Sequence, residues 1–325
     1  MGVIASVDSI GPGELFRLAH QFDFNQHIPT ILLIKISSLN NINYKDILLE
    51  FKKEYENKKF KDLFEEYDII SKYLNKLFIR YFPDKFNRIL INSLKGAKAY
   101  TVSASEVRER FIHPFQSFLI GSIIIDSFYK EFEEYYSSNL CCRLNSSIEA
   151  SWLLASILHD RDKPLKELRD MLEYEYEETM YVIPDQEKNL KQLVSLYNHL
   201  KDGGLLHEWK SEDMDDQNPL FIIFNDLLIN ENHGVTSALQ LMYHINEEIT
   251  DTERNPGYVE AALAICLHDS DPYDNLLNKG YFPLNLKSFP IPCLLLFCDE
   301  IQEWSRYTEL DIETRFGNIT IEVMK

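Results

Sequence analysis

Glycine is scarce in this chain, at 11 of 325 residues. A phosphate cradle made of backbone needs a glycine-rich loop, and neither GxGxxG nor GxxxxGK[ST] occurs. GxSxG and HExxH are absent as well. Positive charge is also short. Lys and Arg number 33 against 52 Asp and Glu, a formal net charge of −19. A surface of that sign repels polyanions at long range. No basic patch interrupts it, so no nucleic-acid duplex is expected as a partner. Long apolar runs are missing. Stretches such as Phe118 to Ile125 fall far short of the roughly 20 residues that span a bilayer, so no membrane is expected either. The N-terminus has no basic region followed by an apolar stretch, which predicts no signal peptide. Only five cysteines are present. Cys266, Cys293 and Cys298 sit in apolar runs and read as buried core residues. Adjacent Cys141 and Cys142 suit neither a zinc site nor a disulfide. The set fits a reducing cytoplasm.

Apolar residues, by contrast, make up 45% of the chain and aromatics 13%. That is enough for a core without covalent staples, in two domains or in one with decoration. Residues 1–98 read as a helical N-terminal extension. Glu14 to Phe22 can start a helix, and Asn40 to Asn43 is a polar break. Tyr44 to Glu56 and Phe60 to Phe82 carry apolar residues every three or four positions, the pattern of amphipathic helices. Pro83-Asp84 closes this region. Residues 99–308 read as a helical domain. Phe115 to Tyr136 is expected as one long helix with Pro114 in its first turn. Ile148 to Asp160, Tyr258 to His268 and Pro292 to Arg306 are apolar enough to be buried, and Gly234 to Glu248 is amphipathic. Residues 161–232 form an acidic insert of about three helices, with breaks near Pro184, Gly203-Gly204 and Asp213 to Pro219. In the tail, 309–325, two alternating stretches flank Gly317-Asn318 and predict a β-hairpin. The expected class is all-α with this hairpin as an accessory.

Polar residues cluster at the ends of the apolar helices. His159-Asp160 follows Ser151 to Leu158, His268-Asp269 ends another apolar helix, and Asp299 follows Leu-Leu-Leu-Phe-Cys. His113 stands before an apolar helix and His233 opens one. Each has a plain reading by itself: His113 as a turn residue before proline, His233 as a neighbour of an N-cap, His268-Asp269 as a C-cap. Asp299 resists such a reading, because an unpaired carboxylate in apolar surroundings is costly. Glu109, four residues before His113, reads as a ligand to a third metal, as a hydrogen-bond acceptor that orients His113, or as a solvated charge. Arg306, two helical turns after Asp299, reads either as a phosphate contact or as an ion-pair partner. His20, His27, His199, His207 and His244 fall outside the pattern.

In chain order the set is H…HD…H…H…D. This resembles the HD superfamily of metal-dependent phosphohydrolases in its two-metal form. His159-Asp160-Arg161-Asp162-Lys163 resembles that family's HDxGK stretch, with Asp162 in place of the glycine. Asn232-His233-Gly234 resembles the additional His stretch of two-metal members such as the HD-GYP cyclic-dinucleotide phosphodiesterases, although the GYP signature is absent. The resemblance covers about residues 105–306. It implies a PDEase-like helical domain holding two divalent cations. One would take His113, His159, Asp160 and Asp299. The other would share Asp160 as a bridge and add His233 and His268. Manganese, iron, zinc, magnesium and nickel are not distinguished by these residues. The implied activity is hydrolysis of a small phosphorylated substrate, a phosphomonoester or phosphodiester, by metal-bound hydroxide. Lys163, Asp160 and Arg306 are the expected catalytic set, with Lys163 holding phosphate. A nucleotide or cyclic nucleotide is the substrate class the family suggests. A di-iron oxygenase on the same ligand order, or a regulatory module that only senses a ligand, is the alternative. No oligomeric state follows from the sequence.

Overall fold

Eleven successive residues, Ile148–Leu158, are buried without exception, and they form a helix at the centre of the protein. The computed structural model describes residues 28, 30–88, 90–91, 111–138, 147–160, 232–248, 256–268, 286–287 and 289–302. All regular elements among the described residues are helical. In chain order they are α1 (Thr30–Ile36), α2 (Lys45–Asn57), α3 (Leu63–Tyr81), α4 (His113–Ser127), α5 (Tyr129–Ser138), α6 (Ile148–Leu158), α7 (His233–Glu248), α8 (Pro256–Leu267) and α9 (Pro290–Gln302). The predicted hairpin, the start of the N-terminal extension and nearly all of the acidic insert lie outside the described residues.

Two helices, α6 and α8, are mostly apolar on every face, each with one buried glutamate (Glu149 and Glu260), which a helix tolerates only when neighbours cover it all round. They pack on each other, with α4 and α9 also on α6, and α7 and α9 on α8. Ser147 starts α6 by accepting a hydrogen bond from Ala150 N (3.3 Å). Close approach of α4 and α6 depends on Gly121. A Cβ there would fall 2.0 Å from Cζ2 of Trp152, whose indole N–H donates to Phe118 O at 3.0 Å.

The N-terminal helices pack on α4. Phe51 meets Phe115 edge-on at 4.9 Å between ring centroids, and Tyr44 hydrogen-bonds Ser122 at 2.8 Å. At 100° per residue, Phe115, Phe118 and Ser122 lie roughly 140–200° around the helix from His113. One face of α4 therefore carries His113 and the other seats α2 and its flanking turn. Two buried carboxylates complete the junction. Asp126 accepts the backbone N–H groups of Asn40 (2.9 Å), Asn41 (2.5 Å) and Ile42 (3.1 Å), and Glu149 accepts from Asn43 N at 3.3 Å. The polar break at 40–43 is thus a docking turn. The hydrophobic core runs without interruption from these helices into α4, α6, α7, α8 and α9.

Local departures from the expected helices have physical causes. Phe115 to Tyr136 is not one helix: it breaks at Phe128, whose φ of −119° and ψ of 34° leave the helical region. Asn41 Nδ2 donates to Asp126 O at 2.8 Å, the carbonyl that a continuous helix would offer to Lys130. Residues 111–112, just before α4, are π-helical, a geometry common beside functional sites. Helix α1 gives no sequence signal of its own. It is a short apolar piece held by burial of Leu32, Leu33 and Ile36. Beyond Pro83 the chain turns helical again at 84–88.

Candidate metal centre

The C-terminal ends of α6 and α8 meet the N-terminal ends of α4 and α7 at one end of the bundle. His159 follows the last residue of α6, and His268 the last residue of α8. His113 and His233 are the first residues of α4 and α7. Asp299 joins them from inside α9, which continues to Gln302 rather than ending at the aspartate. Sequence separations of up to 186 residues (113 to 299) thus collapse into one cluster.

The contacts fall into two halves. In the first, His113 Nε2 lies 3.1 Å from His159 Nε2, 2.8 Å from Asp299 Oδ1 and 3.6 Å from Asp160 Oδ2. His159 Nε2 lies 3.4 Å from Asp299 Oδ1 and 3.8 Å from Asp160 Oδ2. In the second, His233 Nε2 lies 3.2 Å from both His268 Nε2 and Asp160 Oδ1, and His268 Nε2 is 3.6 Å from the same Asp160 oxygen. Asp160 therefore turns one oxygen to each imidazole pair.

Tautomers are set by the backbone. His159 Nδ1 donates to Ser156 O at 2.8 Å, and His268 Nδ1 donates to Ile265 O at 2.6 Å, each to the carbonyl three residues earlier. A carbonyl only accepts, so Nδ1 carries the proton in both rings. In the neutral ring Nε2 then presents its lone pair to the cluster, the arrangement found for ligating histidines. The unsatisfied carbonyls at a helix C-terminus supply these acceptors. Gly234 belongs to the same arrangement, because a Cβ there would meet Ile265 O at 2.9 Å and the His268 ring at 3.0–3.1 Å. Its glycine is visible in the sequence; the close approach behind it is not.

Burial and charge are tightly coupled here. His113, His159, His268 and Asp160 are buried, while the side chains of His233 and Asp299 keep 21% and 24% of their exposure and mark the accessible side. Burial works to raise the Asp160 carboxyl. Where these rings are protonated, the His159 charge, hydrogen bonds from His233 and His268, and the His113 charge outweigh it and hold Asp160 well below the usual carboxylate range. Asp299 is likewise opposed by burial and drawn down by His113 and His159. His268, which burial alone would lower, is raised by Asp160 and Asp299.

The residues could hold a metal ion. Metal–ligand bonds of about 2.0–2.2 Å give coordination polyhedra with edges of about 2.9–3.5 Å. The spacings above cluster around those edges. Asp299 Oδ1 is buried and receives no aligned hydrogen bond, although an imidazole nitrogen lies at contact distance. Such an orphaned acceptor is costly unless something else binds it. Three overlapping groups, His113/His159/Asp160, His159/His268/Asp299 and Asp160/His233/His268, each keep their ligand atoms within 4.8 Å of one another.

No family model, curated protein or solved structure matches this chain. The helical fold and a His/Asp cluster able to hold metal stand on its own residues.

All six residues expected as metal ligands meet in this cluster. Lys163, Arg306, Glu109 and Asp269 lie outside the described residues, as do His20, His27, His199, His207 and the side chain of His244. Among the described residues, no helix is long and apolar enough to cross a membrane.

Proposed function

We propose that this chain is a metal-dependent phosphohydrolase of the HD type, acting on a small phosphomonoester or phosphodiester, with a nucleotide or cyclic nucleotide as the favoured class. The observation that carries the proposal is Asp160, with Oδ2 toward His113 and His159 and Oδ1 toward His233 and His268. A carboxylate placed so can bridge two cations. Two such ions supply a nucleophile from water at neutral pH and neutralise charge on a phosphoryl group.

The protein's own groups do the holding and orienting. His113, His159, Asp299 and Asp160 would hold one ion; His233, His268 and Asp160 would hold the other. Ser156 O and Ile265 O lock the two most buried rings, so their Nε2 atoms need no reorganisation on binding. The apolar bodies of α6 and α8 exclude water from behind the cluster, leaving access on the side of His233 and Asp299. With a formal charge of −19, the chain as a whole repels an anionic substrate, so attraction must come from the ions and from basic groups close by. Lys163 and Arg306 are the proposed phosphate contacts.

Turnover of p-nitrophenyl phosphate and bis-p-nitrophenyl phosphate with added manganese tests the proposal, alongside elemental analysis of the same samples. Activity in the wild type that disappears in folded Asp160→Ala, with its metal, supports it. Two bound ions without phosphate turnover would defeat the hydrolase reading. Iron in that sample would direct attention to oxygen chemistry, and a redox-inert load to ligand sensing.

A further inference from the structure

On the two-cation reading proposed above, we infer that Asn232 and Gly234 are positioning residues for the second cation alone. They set the His233/His268 pair, while the His113/His159 pair is built by other helices.

The two imidazole pairs are built by separate helices. His113 opens α4 and His159 follows the end of α6; His233 opens α7 and His268 follows the end of α8. Asp160 contacts both pairs, and the His159 and His268 rings also meet edge-on at 5.0 Å between centroids. Within the second pair, the start of α7 is fixed from both sides of His233. Asn232 is buried, its Oδ1 accepts from Val235 N at 3.1 Å, and its carbonyl accepts from Thr236 N at 3.0 Å. On the other side, Gly234 lies against the end of α8. A Cβ there would stand 2.9 Å from Ile265 O and 3.0 and 3.1 Å from Cε1 and Nδ1 of His268. Ile265 O is the acceptor that orients the His268 ring. A methyl group would therefore press on the ring and on its anchor together. Neither is the free end of a flexible side chain, so α7 must shift or the ring must turn. Either movement displaces an Nε2 atom by tenths of an ångström, against a tolerance in ligand distance of about 0.2 Å.

Among the described residues, the second half-site has less in reserve. The first has His113, His159, Asp299 and one Asp160 oxygen within contact distance; the second has His233, His268 and the other Asp160 oxygen. With fewer protein ligands, it loses a larger share of its affinity when one ligand moves.

The experiment is manganese titration of the full chain, by calorimetry and by electron paramagnetic resonance, for wild type, Gly234→Ala and Asn232→Ala, with circular dichroism melting to establish folding. The expected result is two equivalents in the wild type with a spin-coupled signal. Each variant keeps the first equivalent near wild-type affinity and binds the second about 10–100-fold more weakly, the usual cost of disturbing a ligand's support. The coupled signal gives way to that of isolated manganese. A general loss of stability would not separate the two equivalents. Folded variants that bind both equivalents like the wild type, or lose both equally, overturn the positioning role while the metal centre stands. A wild type that takes up no manganese overturns the metal centre and the positioning role with it. Should Gly234→Ala fail to fold, the same two outcomes in Asn232→Ala support or overturn the positioning role.

Discussion

Asp299 Oδ1 stands 2.8 Å from Nε2 of His113, buried and without an aligned hydrogen bond. A group in that state gains most from a cation placed between it and the imidazoles. Metal should therefore stabilise the wild type against heat far more than it stabilises Asp299→Ala. At a metal concentration 100 times the dissociation constant, the wild type gains about 2.7 kcal/mol by mass action. Differential scanning fluorimetry with manganese and with chelator checks this. Equal shifts in the two proteins would remove Asp299 from the ligand set.

Asp160 and His233 should differ in what their loss removes. Asp160 touches both imidazole pairs, so Asp160→Ala is expected to reduce bound metal from about two equivalents to well below one. His233 touches only the second half of the cluster, so His233→Ala should leave about one equivalent. Elemental mass spectrometry on protein purified without chelator distinguishes them. Identical stoichiometry in the two variants would contradict a bridging Asp160.

Packing of α4 on α6 leaves no room at Gly121, since a Cβ would fall 2.0 Å from the Trp152 ring. Gly121→Ala is expected to destabilise the fold by about 1–3 kcal/mol or more, as overpacking does in a close-packed interior. The readout is the urea midpoint. Trp fluorescence should shift with it, because Trp152 is displaced from Phe118 O. An unchanged midpoint would show that the helices separate freely.

Asp126 holds three backbone N–H groups of the 40–42 turn. Asp126→Ala leaves them without their acceptor and should cost about 2–3 kcal/mol, given the strength of hydrogen bonds to charged groups. Asp126→Asn keeps an acceptor oxygen and should cost less. Hydrogen exchange at Asn40 to Ile42 should quicken in the alanine variant before exchange in α6 does. Uniform quickening across both would mean that the turn has no separate role.

Burial pushes the Cys293 thiol up to about 12, with a smaller push from the Glu260 charge. The reactive species is the thiolate. At pH 8 its fraction is then on the order of one in ten thousand, so iodoacetamide should leave Cys293 unmodified in the native protein and modify it after denaturation. Peptide mass mapping after alkylation reads this directly. Rapid native labelling would show that the N-terminal turn of α9 opens.

What the sequence by itself determined was local. Apolar spacing of three and four located α2 and α3, and continuous apolar runs located α6 and α8, because helical periodicity and burial are written in neighbouring residues. The polar residue at the end of each run was legible for the same reason. Distances through space are not written there. That His113 and Asp299 touch, that Asp160 divides its oxygens between two imidazole pairs, and that Ser156 O and Ile265 O fix two tautomers follow only from how the helices stack. The break at Phe128 belongs to this second kind. There Asn41, 87 positions before Phe128 in the chain, donates its side-chain N–H to a carbonyl of α4. The need for glycine at 234 is also of this kind: the sequence shows the residue, but it becomes a requirement only where the end of α8 comes within 3 Å of it. Short-range patterns encode which residues are helical and which are polar at helix ends. Which of those ends meet is decided by packing, where contacts between distant residues outweigh local preference.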